Sequence, residues 1–258
     1  MFRLEGRTAL ITGAASGIGA ATARRFAKAG ANVALAWYSA DPHDIEPVRR
    51  DCEAEGYGVL VREVDVRRVE DVDALAAAAI EQFGSLDIVV ANAGIARTVP
   101  ALELTDDKWY QTLDVDLTGV WRCFRAALPY MTEAGYGRLL ATSSVAGTVQ
   151  AWPEHVQYTA AKAGIVGMVE SLAVELGPKG ITVNCVAPGV VESPQSLDPV
   201  NSLGHEGVAV AAQKTPVGRV GTPDDIAALY QYLASEEAGF LSGQVIVIDG
   251  ARALAGLD

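Results

Sequence analysis

The chain has 258 residues, half of them hydrophobic, and a formal net charge of −12. That length suits one large α/β domain with a substantial core; the charge disfavours non-specific binding to nucleic acid or anionic lipid, and no apolar run approaches the ~20 residues of a membrane helix. The polar start from Met1 to Arg7 leads straight into a strand with no signal peptide, and three histidines and three cysteines (Cys52, Cys123, Cys185) show neither metal nor disulfide spacing, so the expectation is a cytoplasmic protein without metal or disulfide.

In chain order, short β-branched apolar runs alternate with long helical patterns. Strands are expected at 8–11, 33–37, 59–64, 88–91, 138–142, 182–186 and 245–248, and helices at 17–29, 44–55, 69–83, 106–131, 155–176 and 223–234. The strand runs are continuously hydrophobic, which means burial on both faces, as in a parallel sheet. Regular strand–helix alternation builds βαβ units into a doubly wound, seven-stranded parallel sheet, a three-layer αβα Rossmann fold. No repeat or linker divides residues 1–258, so a single domain is expected. The one long irregular stretch, 188–221, is rich in proline, glycine and serine. It reads either as a substrate lid or as a variable surface loop.

Two motifs carry chemistry. Thr12-Gly13-Ala14-Ala15-Ser16-Gly17-Ile18-Gly19 lies between the first strand and the first helix. Glycines there allow a tight turn and close approach of a pyrophosphate, which the helix N-terminus then attracts. Tyr158 and Lys162 stand four residues apart on one helical face. A fixed ammonium beside a phenol favours the phenolate, so such a pair can pass a proton to or from an oxygen.

With Asp65-Val66, Asn92-Ala93-Gly94, Ser143-Ser144, Asn184 to Gly189 and Ser242 to Gly250 in order behind these two, the whole chain resembles the short-chain dehydrogenase/reductase family. The resemblance implies an oxidoreductase that interconverts a secondary alcohol and a ketone with a nicotinamide dinucleotide. It implies Tyr158 as general acid/base, Lys162 as its cationic neighbour and ribose ligand, and Ser144 as the group that holds the substrate oxygen. Ser144 precedes Tyr158 by fourteen residues, one more than the commonest family spacing, which the connecting loop can absorb. The family's relay asparagine is replaced by Asp116, which accepts the same water hydrogen bond but donates none.

For the dinucleotide, the resemblance implies contacts from Gly13, Ser16, Gly17, Ile18 and Gly19 at the phosphates, and from Asp65 and Val66 at the adenine. Asn92, Ala93 and Gly94 follow along the cofactor, with Tyr158 and Lys162 at the ribose and Pro188, Gly189, Val191 and Ser193 at the nicotinamide. NAD-preferring members carry an acid at the end of the second strand. Here Trp37, Tyr38 and Ser39 stand there, so nothing repels a 2′-phosphate, although no base attracts it and Asp41 follows. The balance leans to NADP(H) over NAD(H).

Ile95, Ala146, Trp152, His155 and Val190 are expected to wall an apolar substrate pocket. With no Arg or Lys cluster nearby, the expected partner is a neutral small-molecule alcohol or ketone. His155 is open to a substrate role or a purely structural one. Reduction of 3-oxoacyl chains on acyl carrier protein is an alternative that the acidic surface disfavours. A non-catalytic nicotinamide-binding regulator is another, which the presence of Ser144, Tyr158 and Lys162 disfavours. The family is tetrameric or dimeric through its longest helices, and Trp121, Phe124, Ile165 and Met168 are candidates for such a homo-oligomer interface.

Overall fold

Parallel pairing requires each strand to be followed by a crossover, and this chain supplies a helix each time. The computed structural model describes residues 2–255; Met1 and residues 256–258, which the expected domain span includes, lie outside it. The strands are β1 (Thr8–Thr12), β2 (Asn32–Trp37), β3 (Val59–Glu63), β4 (Ile88–Ala91), β5 (Gly137–Thr142), β6 (Ile181–Pro188) and β7 (Val245–Ile248). They form one parallel sheet in the order β3-β2-β1-β4-β5-β6-β7. Every residue of β1, β4, β5 and β6 is buried, whereas the edge strands β3 and β7 are only partly covered.

Alternate residues of the central strands point to two separate cores. On one face Ile11, Leu35, Val90 and Leu140 pack against α1 (Gly17–Lys28), α2 (Glu46–Glu53) and α9 (Pro223–Ala234) through Phe26, Val48 and Leu233. On the other face Leu10, Val89, Leu139 and Val183 meet α3 (Val69–Phe83), α5 (Gly119–Ala134) and α6 (Val156–Leu176) through Leu75, Phe124 and Ile165. This is the expected three-layer αβα arrangement. Phe124 and Ile165 are fully buried in that core and cannot serve an interface between copies. Trp121 remains 37% exposed. No helix among the described residues is long and apolar enough to cross a membrane.

Two elements differ from the sequence expectation. The helix expected over 106–131 is α4 (Asp106–Leu113), then a π-helical turn (Asp114–Thr118), then α5. One wider turn leaves the hydrophobic period almost unchanged, so the sequence pattern hides it. The 188–221 stretch is mostly ordered into α7 (Pro194–Leu197) and α8 (Gly204–Lys214). Val191 bridges Gly221 at its base, and Val208, Ala211 and Val220 give it a small core of its own.

The order in which strands are added reverses between β1 and β4, which lie side by side and parallel. A crevice opens at the carboxyl ends of strands at such a point. Polar side chains lock this edge. Thr12 Oγ1 accepts the backbone N–H groups of Asn92 and Ala93, each at 3.0 Å, and Asn92 Nδ2 donates to the Thr12 carbonyl at 3.1 Å. Thr142 Oγ1 donates to Asn92 Oδ1 at 3.0 Å, tying in β5. Asn92→Ala breaks both side-chain bonds and should lower unfolding free energy by about 1–3 kcal/mol, read from urea denaturation; an unchanged midpoint would show that the lock contributes nothing.

Candidate active site

The carboxyl edge of the sheet opens into a cleft of about 570 Å³. Its floor at one end is the turn after β1, represented by Gly13, Ser16, Gly17 and Ile18. Gly19 does not border the cleft, because a Cβ there would lie 2.1 Å from the Gly13 carbonyl oxygen. Its role is to let α1 pack directly on the turn. No side chain caps α1 and no acid occupies its first turn. By contrast α3, α4 and α9 all begin with acids. The free N–H groups and positive end of α1 thus remain available to an anion, so the residues present fit a dinucleotide pyrophosphate.

At the centre of the cleft α6 presents Tyr158 and Lys162, 6% and 3% exposed. The Lys162 ammonium lies 3.2 Å from Asp116 Oδ2 and donates to the Thr142 carbonyl at 3.0 Å. It stands 5.4 Å from the centre of the Tyr158 ring. Asp116 reaches it from the π-helical turn, and its other oxygen accepts the Ile95 amide at 2.8 Å. Desolvation pushes the fully buried Asp116 carboxyl above the usual carboxylate range, with the lysine charge opposing. The same burial works against the Lys162 charge, but Asp116 and Tyr158 together outweigh it and hold the lysine above its ordinary value.

Ser143 and Ser144 both border the cleft but differ in their bonds. Ser143 Oγ donates to the Lys162 carbonyl at 2.9 Å and so pins α6. Ser144 Oγ accepts the Ala146 amide at 3.1 Å, which leaves its proton for another partner. The turn after Ser144 presses on α6 at Gly147, whose φ is +98° and whose absent Cβ would lie 2.7 Å from the Thr159 carbonyl oxygen. Chain separation between Ser144 and Tyr158 is therefore bridged by direct backbone packing.

Above these groups Trp152 stacks parallel to Tyr158 with ring centres 6.4 Å apart, and His155 stands edge-on to both rings. His155 Nδ1 lies 2.8 Å from the Pro153 carbonyl oxygen. Ala96 and Val190 complete an apolar wall, whereas Ala146, expected there, is fully buried behind it in the cluster with Ala96 and Tyr158. Asn92, Ala93, Gly94, Pro188, Gly189, Val191 and Ser193 also border the cleft. Ile95 does not; its contribution is the amide that binds Asp116.

At the far end the expectations are met less closely. Trp37 is half-buried against the α1 core, and Tyr38 and Ser39 are exposed beyond the cleft wall. Val66 is buried. The Asp65 carboxylate is taken by the Arg67 side chain, at 2.8 Å from Nε, and by the Arg67 amide at 3.0 Å. Arg67 holds that carboxyl below the usual range. Arg67 Nη2 also donates to the Tyr38 hydroxyl at 3.0 Å, which brings to the end of β2 a cation absent from the local sequence. Asp41, paired with His43, borders the cleft there. Three further cleft residues gave no sequence signal: Glu154, Asp249 and Arg252. The last two come from the turn after β7, and only folding brings them to the site.

Asp116→Ala strands the Lys162 charge in the interior and should cost about 3–5 kcal/mol in urea denaturation. Asp116→Asn tests the sign of the coupling. Lys162 is raised, so its stabilising charge is fully present below the ordinary lysine value of 10.5 and fades as pH rises through the higher folded value. The asparagine variant loses the lifting partner, so its stability should decline at lower pH than that of the wild type; superimposable pH–stability curves would refute the coupling.

Residues 13–251 match the family model described as enoyl-(acyl carrier protein) reductase. The (2S)-[(R)-hydroxy(phenyl)methyl]succinyl-CoA dehydrogenase subunit BbsD of Thauera aromatica is 38% identical, over 97% of this chain and 98% of that one. The cis-4-hydroxycyclohexanecarboxylate dehydrogenase of Sinomonas cyclohexanicum is 40% identical over 95% of each. Among solved structures, levodione reductase superposes with a TM-score of 0.91 at 32% identity, over 98% of this chain and 100% of that one. The chain belongs to the short-chain dehydrogenase/reductase family, whose members bind a nicotinamide dinucleotide and act on hydroxyl and keto groups.

Proposed function

We propose that the cleft interconverts a cyclic secondary alcohol and its ketone, with Tyr158 as general acid/base. The observation that carries this reading is the buried Tyr158–Lys162–Asp116 cluster sharing one cleft with Ser144 and the uncapped start of α1. When bound, the nicotinamide dinucleotide supplies or accepts the hydride. Ser144 donates a hydrogen bond to the substrate oxygen and holds the reacting carbon in position. Tyr158 gives its proton to that oxygen during reduction and takes one during oxidation. Lys162 stabilises the negative charge that develops on the phenol oxygen, and Asp116 keeps Lys162 charged and in place. The apolar wall of Ala96, Trp152 and Val190 suits a ring, in keeping with the cyclic substrate in the name of the Sinomonas relative.

The dinucleotide is read as NADP(H). Arg67, beside Tyr38 at the end of β2, supports this by offering a guanidinium to a 2′-phosphate. NAD(H) is the second reading, favoured by Asp41 at the cleft border, where a carboxylate would bind ribose hydroxyls. A 3-oxoacyl chain on an acidic carrier fits poorly with a surface of net charge −12. Exposed Trp121 on α5 and Val174 on α6 support a homo-oligomer through these helices.

Turnover is tested with a panel of cyclic secondary alcohols and ketones, followed by absorbance of the reduced cofactor. Tyr158→Phe should lose at least ~10²-fold in kcat with its melting temperature retained; a variant of near-wild-type rate would remove the tyrosine from the chemistry. Arg67→Ala should lower the ratio of kcat/KM for NADP over NAD by roughly tenfold, the loss of one charge-assisted contact. An unchanged ratio would return the choice to Asp41.

A further inference from the structure

We propose that Arg252 anchors a carboxylate carried by the substrate, so that the enzyme takes apolar ring compounds bearing both a hydroxyl or keto group and an acid. The reaction itself rests on the reading above; the anion site does not. The sequence expectation of an uncharged substrate came from the lack of basic residues around the pocket motifs. Arg252 reaches the pocket from the other end of the chain.

The turn after β7 is built to bring it there. The Asp249 carboxylate accepts the backbone N–H groups of Ala251 at 2.9 Å and Ala253 at 2.7 Å. Ala251 adopts a φ of +68°, a left-handed conformation that alanine rarely takes. The chain thereby folds back, and Gly250 packs against Thr215 and Val217. Arg252 is half-buried on the cleft border, and Nη1 donates to the Ala211 carbonyl of α8 at 3.0 Å.

That is a neutral partner for a charged group. Arg7, Arg24, Arg49, Arg122, Arg125 and Arg219 each face a carboxylate within ion-pair distance. Arg252 has no such partner among the described residues; Arg25 and Arg62 likewise bond neutral groups, but Arg252 is the arginine that borders the cleft. The charged neighbours are otherwise engaged. Lys162 is matched by Asp116, and Asp249 is satisfied by backbone. Asp41 is paired with His43 and lies beyond the end of β2, with four strands between β2 and β7 in the sheet order. Glu154 is exposed at the rim, where water screens it. A half-buried guanidinium with free N–H groups facing a cavity matches a carboxylate in a two-pronged bond.

Position in the sheet selects the substrate over the cofactor as the anion's owner. The phosphate turn follows β1, inside the sheet, and Arg252 follows β7 at its edge, four positions away. Ser144, after β5, and Gly189, after β6, lie between them. A ring held against Trp152 and Ala96 with its oxygen at Ser144 would direct a substituent toward the β7 side.

The test is calorimetric binding of cyclohexanecarboxylate and cyclohexanecarboxamide to the enzyme saturated with oxidised dinucleotide. Neither probe has a hydroxyl to oxidise, so binding is independent of hydride transfer. The acid should bind at least ~10-fold tighter than the amide. Arg252→Gln should abolish the difference, and Arg252→Lys, which keeps the charge but not the fork, should keep part of it. In turnover, the kcat/KM ratio of 4-hydroxycyclohexanecarboxylate over its methyl ester should fall at least ~10-fold in Arg252→Gln, mainly through KM. Equal binding of acid and amide by the wild type overturns the proposal, as does a preference that survives Arg252→Gln. Tight acid binding without turnover of any alcohol would sink the oxidoreductase reading and leave the anion site standing.

Discussion

A lysine ammonium buried against the carboxyl end of a parallel sheet is tolerable only with a compensating charge, and Asp116 supplies it. Isolated, either group would lose several kcal/mol to desolvation. Paired with Asp116, the ammonium is fixed 5.4 Å from the centre of the Tyr158 ring. Much of the local architecture serves to hold that pair. The π-helical turn brings Asp116 inward, the Ile95 amide occupies its second oxygen, the Thr142 carbonyl receives one ammonium proton, and Ser143 ties the α6 backbone to the end of β5. The bonds come from the end of β5, the segment after β4 and the π-helical turn, so the charge geometry depends on the assembled sheet.

The cleft also divides its electrostatics by strand. An acidic protein has little reason to attract phosphates, yet the start of α1 carries no acid while five other helices begin with them. Positive potential is therefore local and directional, arising from backbone dipoles near β1, from Arg67 near β2 and from Arg252 beyond β7. Between these points the walls are apolar, with stacked Trp152 and Tyr158 over Ala96 and Ala146. A ligand with charged ends and an apolar middle suits such a distribution better than a uniformly polar one.

How far the site can be read from the chain depends on how local its causes are. The phosphate turn, Ser144, Tyr158 and Lys162 are legible because each motif sits at a strand end or on one helical face, where spacing alone sets direction. The 106–131 helix is misread at one turn, since a single π-helical turn shifts the apolar period too little to detect. Asp65 is recognisable as a strand-end acid, but its commitment to Arg67 depends on side-chain geometry that spacing does not encode. Phe124 and Ile165 look like interface residues because apolar pattern cannot separate a face against the sheet from a face against another copy.

By itself the sequence determined the strand–helix alternation, the parallel sheet and the four groups expected to do chemistry. These follow from burial periodicity and short motifs, which act over a few residues. Tertiary structure decided which charges neutralise one another and which are left over. Asp116 meets Lys162, and Arg67 meets both Asp65 and Tyr38, while Arg252 reaches the pocket with no ion-pair partner among the described residues. Those outcomes depend on side-chain positions, mostly of residues remote in sequence, because Coulomb energies and desolvation are set by where side chains end up in space.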